Sequence, residues 1–183
     1  MIKTMINAWK VPDIRKKLLF TAFIILVFRI GSVIPVPFLN IVDEINVGKG
    51  NTILTYLSLM TGSAFTYGTI FAMSITPYIN SSIIIQLLAV AIPALERLQK
   101  EGEEGRKKLA SITRFVTVAL GILQSVAYYF YLRSNNYLMT EDNGAQFTGF
   151  NAVFQALVII IVVTAGTAVI MWLGEQITIS GIG

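Results

Sequence analysis

Polar side chains interrupt an apolar stretch between Ile70 and Ile92, and they are the residues best placed to do chemistry inside a membrane. Buried amides and hydroxyls are costly in hydrocarbon without partners, so they should face other helices or water. An isoleucine pair among them could close a wet passage by dewetting. Packing through interhelical polar bonds is the alternative, and spacing alone favours it. At about 100° per residue, a helix places these residues on one arc of about 120°: Thr76, Ile79, Asn80, Ile83, Gln86 and Leu87.

Catalytic chemistry has little support in this sequence. The chain contains neither His nor Cys, so the commonest general base and the thiolate ligands of metal centres are missing. Asp occurs only outside the apolar stretches, and no Asp, Glu or Lys lies in their cores, where ion-coupled transporters and proton pumps usually carry such groups. We therefore expect no enzyme, no metal site and no cofactor.

The composition is that of a membrane protein. Of 183 residues, 55% are hydrophobic and 13% are charged, about half the charge of a typical soluble domain. These values exclude a disordered chain, a coiled coil and an ordinary water-soluble enzyme. A membrane-spanning helix needs about 20 mostly apolar residues. The sequence predicts an all-α polytopic membrane protein with four spans, at Leu18–Ile34, Ile70–Ile92, Phe115–Leu132 and Ala152–Leu173.

Lysine and arginine predict the orientation. Eleven of them lie before the first span or between the second and third, against three elsewhere. The positive-inside rule then places the N-terminus and the 93–114 loop in the cytoplasm. Tyr128, Tyr129 and Tyr131, at the end of the third span, would lie at the outer membrane interface.

The second span is predicted to be part of a broken element. Ile53–Phe65 is apolar but has only 13 residues, which is too short to span. Pro77 disfavours helical geometry in Thr76, and Gly62 and Gly68 add further breaks. We expect a short re-entrant segment that dips in from outside, followed by a true span from about Ile75. A surface-lying amphipathic helix is the alternative.

The remaining segments are expected at the inner surface. Residues 1–17 are typical of a basic amphipathic segment on the membrane. The mixed charges of residues 93–114, with Gly102 and Gly105, indicate a flexible soluble connector or a docking surface. Arg29 and Arg114, near span ends, are expected to extend to the interface. Residues 174–183 are predicted to start a cytoplasmic turn, and the chain is expected to be one part of a longer polypeptide.

Four strings carry a resemblance to a known family. They fall in order along the chain: FRIGSVIPVP (Phe28–Pro37), ITPYINSSIIIQLL (Ile75–Leu88), KEGEEGRKKL (Lys100–Leu109) and GEQITISGIG (Gly174–Gly183). With the inferred topology between them, the sequence resembles the SecY family, the channel subunits of the bacterial protein translocase. The resemblance implies the N-terminal part of a ten-helix, inverted-repeat clamshell with an hourglass pore in the plasma membrane.

The resemblance also implies roles for residues. Ile79 and Ile83 match members of the isoleucine pore ring, and the second and third spans match one wall of the lateral gate, with Thr76, Asn80 and Gln86 facing the pore or gate. Arg106, Lys107 and Lys108 would form at most a secondary cytoplasmic contact. The segment that matches the plug helix includes Ile53, Leu54, Tyr56, Leu57, Leu59, Met60, Gly62 and Phe65.

The partners implied by the resemblance are SecE, SecG, the motor ATPase SecA, the ribosome, membrane lipid, and the translocating preprotein with its signal sequence. Two other functions remain open at this level. One is half of an inverted-repeat secondary transporter with a broken helix at its substrate site. The other is a structural membrane scaffold, favoured if the polar side chains of the second span were all paired to neighbouring helices.

Overall fold

The computed structural model describes residues 11–39, 56, 59, 61, 64–140 and 147–181. Within them the only regular elements are helices, which confirms the all-α fold class. Isolated bridges occur, but no strand is formed in this part of the chain. The helices are α1 Pro12–Gly31, α2 Thr76–Ala91, α3 Pro93–Lys100, α4 Glu103–Ser134 and α5 Gly149–Ser180.

The helix α4 is the centre of the arrangement. It packs against α5, α2 and α3, while α1 packs against α5. Both α4 and α5 have 32 residues and are long and apolar enough to cross a membrane. The pair α2 and α3, bent by 102° at Ile92, qualifies as a third span only if it is taken as one element. At 1.5 Å per residue, α4 is about 48 Å long and exceeds the roughly 30 Å hydrocarbon core.

Helix boundaries differ from the predicted ones for α1 and α5 and agree for the start of α2. First, α1 begins at Pro12, so residues 12–17 are part of the first helix; residues 1–10 lie outside the described part. Second, α2 begins at Thr76, one residue from the predicted start near Ile75, and turns precede it, because Pro77 is well tolerated in a first helical turn. Third, α5 remains helical to Ser180, where a turn was predicted from residue 174.

Residues 93–114 were predicted to form a flexible loop, and this prediction was wrong. This stretch forms α3, a two-residue turn and the first third of α4, so it is a helical hairpin. Gly102 takes a left-handed φ of 76° at the turn. Gly105 lies where α3 meets α4, and a Cβ there would come within 1.7 Å of the Leu98 carbonyl oxygen. The glycines therefore allow a tight turn and a close contact.

Residues 32–39, 64–75 and 135–140 are not helical and form a layer, here called the non-helical layer, at the end of the bundle where α1 and α4 end. The Val36 amide donates to the Gly68 carbonyl at 2.9 Å, and the Met139 amide donates to the Phe38 carbonyl at 2.9 Å. The buried Gln155 side chain on α5 donates to the Phe38 and Met139 carbonyls. The hydrophobic core lies against this layer and consists of Val36, Leu39, Phe65, Ala72, Tyr128, Tyr129, Leu132, Leu138, Ile159 and Val163.

Two of the three tyrosines near the end of α4 are buried in protein. Tyr128 and Tyr129 are buried in this core, and only Tyr131 remains partly exposed. Their aromatic faces pack against protein, and the Tyr128 hydroxyl donates to the Phe65 carbonyl at 3.1 Å. A tyrosine near a span end fits an interface or a core equally well by composition, so only tertiary contacts separate the two.

Candidate pore-lining face of α2

The helix α2 has two unlike faces. One face, with residues repeating every four positions, is buried and consists of Pro77, Ser81, Ile85 and Ala89. Its one hydroxyl, on Ser81, donates to the Pro77 carbonyl at 2.7 Å, so it needs no partner on another helix. This buried face is the one available for packing on α4, the main helical neighbour of α2 besides α3.

The two predicted pore residues lie on the other face. Ile79 is 42% exposed and Ile83 is 51% exposed, and Leu87 one turn further is more exposed still. Residues four apart are stacked on one side of a helix, so these side chains form a continuous aliphatic stripe. No described helix covers this stripe.

The three predicted polar residues on α2 differ in how exposed they are. Asn80 and Gln86 are exposed, and Gln86 donates to the Ser82 hydroxyl on its own helix at 3.2 Å. Among the described residues neither amide bonds to another helix. Thr76 is half-buried at the start of α2. The interhelical polar bonds expected of ordinary packing are therefore not made here by Asn80 and Gln86.

A mostly apolar cavity of about 330 Å³ lies beside the start of α2. Thr61, Thr76 and Gln124 are among its lining residues. The remaining lining residues are Phe65, Ala72, Met73, Ala127, Tyr128 and Tyr131.

The predicted plug segment is described only in part. Ile53, Leu54, Leu57, Met60 and Gly62 lie outside the described residues. Tyr56 and Leu59 are exposed. Phe65 is buried, with its ring 5.0 Å from that of Tyr128. The end of the segment nearest α2 thus belongs to the core.

The basic cluster lies at the other end of the molecule. Arg106, Lys107 and Lys108 are exposed in the first turns of α4, and Lys108 lies 3.8 Å from the Glu101 carboxylate. The start of α4 follows the end of α2 through α3, whereas Ile79 lies in the first turn of α2. The structure therefore does not join the basic cluster and the isoleucine stripe into one site.

Sequence reasoning missed one polar contact between spans. Arg114 on α4 donates from Nε to Glu175 Oε1 on α5 at 2.8 Å, with the Glu175 side chain only 21% exposed. Arg114 thus pairs with a carboxylate and does not simply extend to the interface. The sequence contained a signal for this contact, because Arg114 and Glu175 carry opposite charges at the same end of two apolar spans. Glu175 also lines a second cavity, of about 220 Å³, together with residues of α2, α3 and α4.

The described residues contain no cluster of three or more acidic residues that could hold a metal ion. The family model for SecY matches residues 69–183.

Relatives with the name "Protein translocase subunit SecY" align with the whole chain. The protein from Streptomyces coelicolor is 43% identical over 187 residues, and 43% of its own length is covered. The protein from Bacillus subtilis is 42% identical, with 41% of its length covered. The chain thus spans about two fifths of the length of the curated relatives it matches.

A solved structure has the same fold. Sec61 in the canine ribosome-channel complex from the endoplasmic reticulum has a TM-score of 0.60 at 17% identity, covering 97% of this chain and 37% of that one. The family model and the relatives above 40% identity, which align with the whole of this chain, point to the same family as the resemblance in the sequence. The chain therefore belongs to the SecY family and is a multi-pass membrane protein.

Proposed function

We propose that this chain is the N-terminal part of a protein-conducting channel subunit, which passes unfolded polypeptides across the plasma membrane or laterally into it. Membership of the SecY family supports the general role. The observation that carries the specific role is the aliphatic stripe on α2, which the described helices leave uncovered.

Ile79 and Ile83 would form this chain's share of the pore constriction. A conduit for any polypeptide cannot bind its cargo strongly, because every side chain that enters must also leave. Aliphatic groups offer neither charges nor hydrogen bonds, so they do not hold the cargo. They also keep an empty constriction dry, which limits ion flow. Asn80 and Gln86 would border this constriction with water-compatible groups.

The other elements take supporting roles in this proposal. The segment 53–65 would act as the plug, and α2 and α4 would form one wall of the lateral gate. The N-terminus and the α3–α4 hairpin would face the cytoplasm, which the excess of lysine and arginine supports. SecE, SecG, SecA and the ribosome would be partners of the complete channel, as would a preprotein with its signal sequence. Sec61, the fold neighbour, is part of a ribosome-channel complex.

Glycine substitutions test the constriction. In the full-length protein, Ile79→Gly and Ile83→Gly should each raise resting ion conductance several-fold, because a wider and less apolar constriction admits water. The measurement is the conductance of the reconstituted channel in planar bilayers without cargo.

Ile84→Gly is the matched control. Ile84 is 40% exposed on the same helix but lies outside the polar arc. The Ile84→Gly variant loses the same side chain as the other two, and its glycine lowers helix stability by the same amount, about 1 kcal/mol. Its conductance should stay near that of the wild type. Equal conductance in all three variants and the wild type would contradict the pore assignment, and so would an equal rise in all three.

A further inference from the structure

We propose that residues 65–75, here called the wedge, set the height of α2, meaning its position along its own axis relative to α4, and thereby position Ile79 and Ile83. Gly166 and Tyr128 are the positioning residues that hold the wedge. This inference rests on the proposed function only for the consequence at the pore. The positioning itself is argued from contacts of the wedge with α1, α4 and α5.

The first contact of the wedge is with α1 and the chain that follows it. The Ile70 amide donates to the Ile34 carbonyl at 3.0 Å. The Phe71 ring stacks on the Phe28 ring of α1 with centroids 5.6 Å apart. Gly31 makes room for Phe71, because a Cβ at Gly31 would come within 2.2 Å of that ring.

The second contact is with α4. The buried Tyr128 hydroxyl donates to the Phe65 carbonyl at 3.1 Å, and the Gly68 amide donates to the same carbonyl at 3.2 Å. The Phe65 ring packs on that of Tyr128. One end of the wedge is thus held by a ring contact and a hydrogen bond in the core.

The third contact, with α5, is the closest. A Cβ at Gly166 would come within 2.1 Å of the Ile70 carbonyl oxygen, a backbone atom that cannot rotate away. Two turns further along α5, a Cβ at Gly174 would meet only the Ile75 Cδ1 atom, at an ordinary 3.6 Å. Two glycines of one helix therefore face the same segment with very different clearance.

The wedge is connected to α2 by a short segment of chain, so a shift of the wedge should shift α2. Only five residues separate Ile70 from Thr76, where α2 begins. One of them, Ser74, takes a left-handed φ of 51° and donates its amide to the Phe71 carbonyl at 2.9 Å, so this path is folded back on itself. A displacement at Ile70 should therefore move the start of α2, and Ile79 lies in the first turn of that helix.

The test compares Gly166→Ala with Gly174→Ala in the full-length channel complex. The two variants make the same change in the same helix. Spin labels at Val90 on α2 and Leu123 on α4, both exposed, report the height of α2. In Gly166→Ala the Cβ-to-oxygen distance must grow from 2.1 Å to at least 3.0 Å. We expect the mean label distance to change by about 1 Å or more and resting ion conductance to rise, with neither change in Gly174→Ala.

The two readouts separate the two proposals. A changed label distance with unchanged conductance would support positioning by the wedge and overturn the pore role of the isoleucines. Unchanged label distances in both variants would overturn positioning by the wedge, whatever the conductance. Equal changes of the label distance in both variants would also overturn positioning by the wedge.

If Gly166→Ala does not assemble, Tyr128→Phe decides. This variant keeps the ring and removes only the hydroxyl that holds Phe65. Tyr129→Phe is its control, because the Tyr129 hydroxyl accepts from Arg133 on the same helix. The label distance should shift or broaden in Tyr128→Phe alone, and identical distributions in both variants would overturn the inference.

Discussion

Buried hydroxyls in this molecule are mostly satisfied within their own helix. Thr117 donates to the Thr113 carbonyl and Ser125 donates to the Gly121 carbonyl, each at 2.7 Å. Thr164 on α5 then donates to the Ser125 hydroxyl across the helix interface at 3.2 Å. No buried side-chain nitrogen or oxygen in the described residues lacks a partner. Small polar residues thus let α4 and α5 approach closely without an unsatisfied polar group in hydrocarbon.

The Arg114–Glu175 ion pair joins these two helices at a distance of 2.8 Å. Both groups keep some contact with solvent, so we expect a coupling free energy of only about 0.5–1 kcal/mol. A double-mutant cycle of Arg114→Gln and Glu175→Gln, followed by denaturation in detergent, measures it.

Lys108 and Glu101 provide the control cycle. Their atoms are 3.8 Å apart and both side chains are at least half exposed, so their coupling should be near zero. A coupling for Arg114 and Glu175 no larger than that of this control pair would show that the contact does not stabilise the protein.

At the scale of elements, the sequence was informative wherever proline and apolar length decide the outcome. The predicted start of the true second span near Ile75 lies one residue from the observed start of α2, because Pro77 restricts the backbone in a known way. The third and fourth spans are centred within α4 and α5. The α3–α4 hairpin was not predicted, because mixed charge is typical both of a solvated loop and of a helix that extends beyond the bilayer.

Gly105 tests whether the hairpin depends on close contact. Gly105→Ala should separate α3 from α4, because the new Cβ would overlap the Leu98 carbonyl oxygen. Limited trypsin digestion should then cut between Arg97 and Lys108 several-fold faster than in the wild type.

Gly121→Ala is the matched control in the same helix. Its Cβ would meet the methyl groups of Thr167 at 3.7 Å and Thr164 at 3.9 Å, both ordinary contacts. It gains the same helix propensity, about 1 kcal/mol, without a clash. Its digestion rate should stay at the wild-type value. If Gly105→Ala is digested no faster than this control, close packing of the hairpin is not what protects it.

At the scale of the whole molecule, apolar side chains cover much of the surface. Phe23 on α1, Phe115 on α4 and Phe150 on α5 are all more than half exposed. Such a surface suits contact with lipid or with further helices. The non-helical layer could not be predicted from the sequence, because pairings such as Val36 with Gly68 join residues far apart in the chain and follow no periodic pattern. Of the four predicted spans, the third and fourth fall in α4 and α5, the helices long and apolar enough to cross a membrane, because local composition defines a long apolar span.

The orientation of the whole molecule can be tested on α4 alone. Lys107 and Ser134 are both exposed and lie 27 residues apart on this helix, about 40 Å along its axis. Because the chain has no cysteine of its own, Lys107→Cys and Ser134→Cys each add the only thiol within these 183 residues. In membrane vesicles of the full-length protein, a membrane-impermeant maleimide should label Ser134→Cys in right-side-out vesicles and Lys107→Cys in inverted ones. Leu123→Cys, which is exposed near the middle of the span, should remain unlabelled in both. The reverse pattern would contradict the orientation based on positive charge, and labelling of both ends from one side would contradict a membrane-spanning α4.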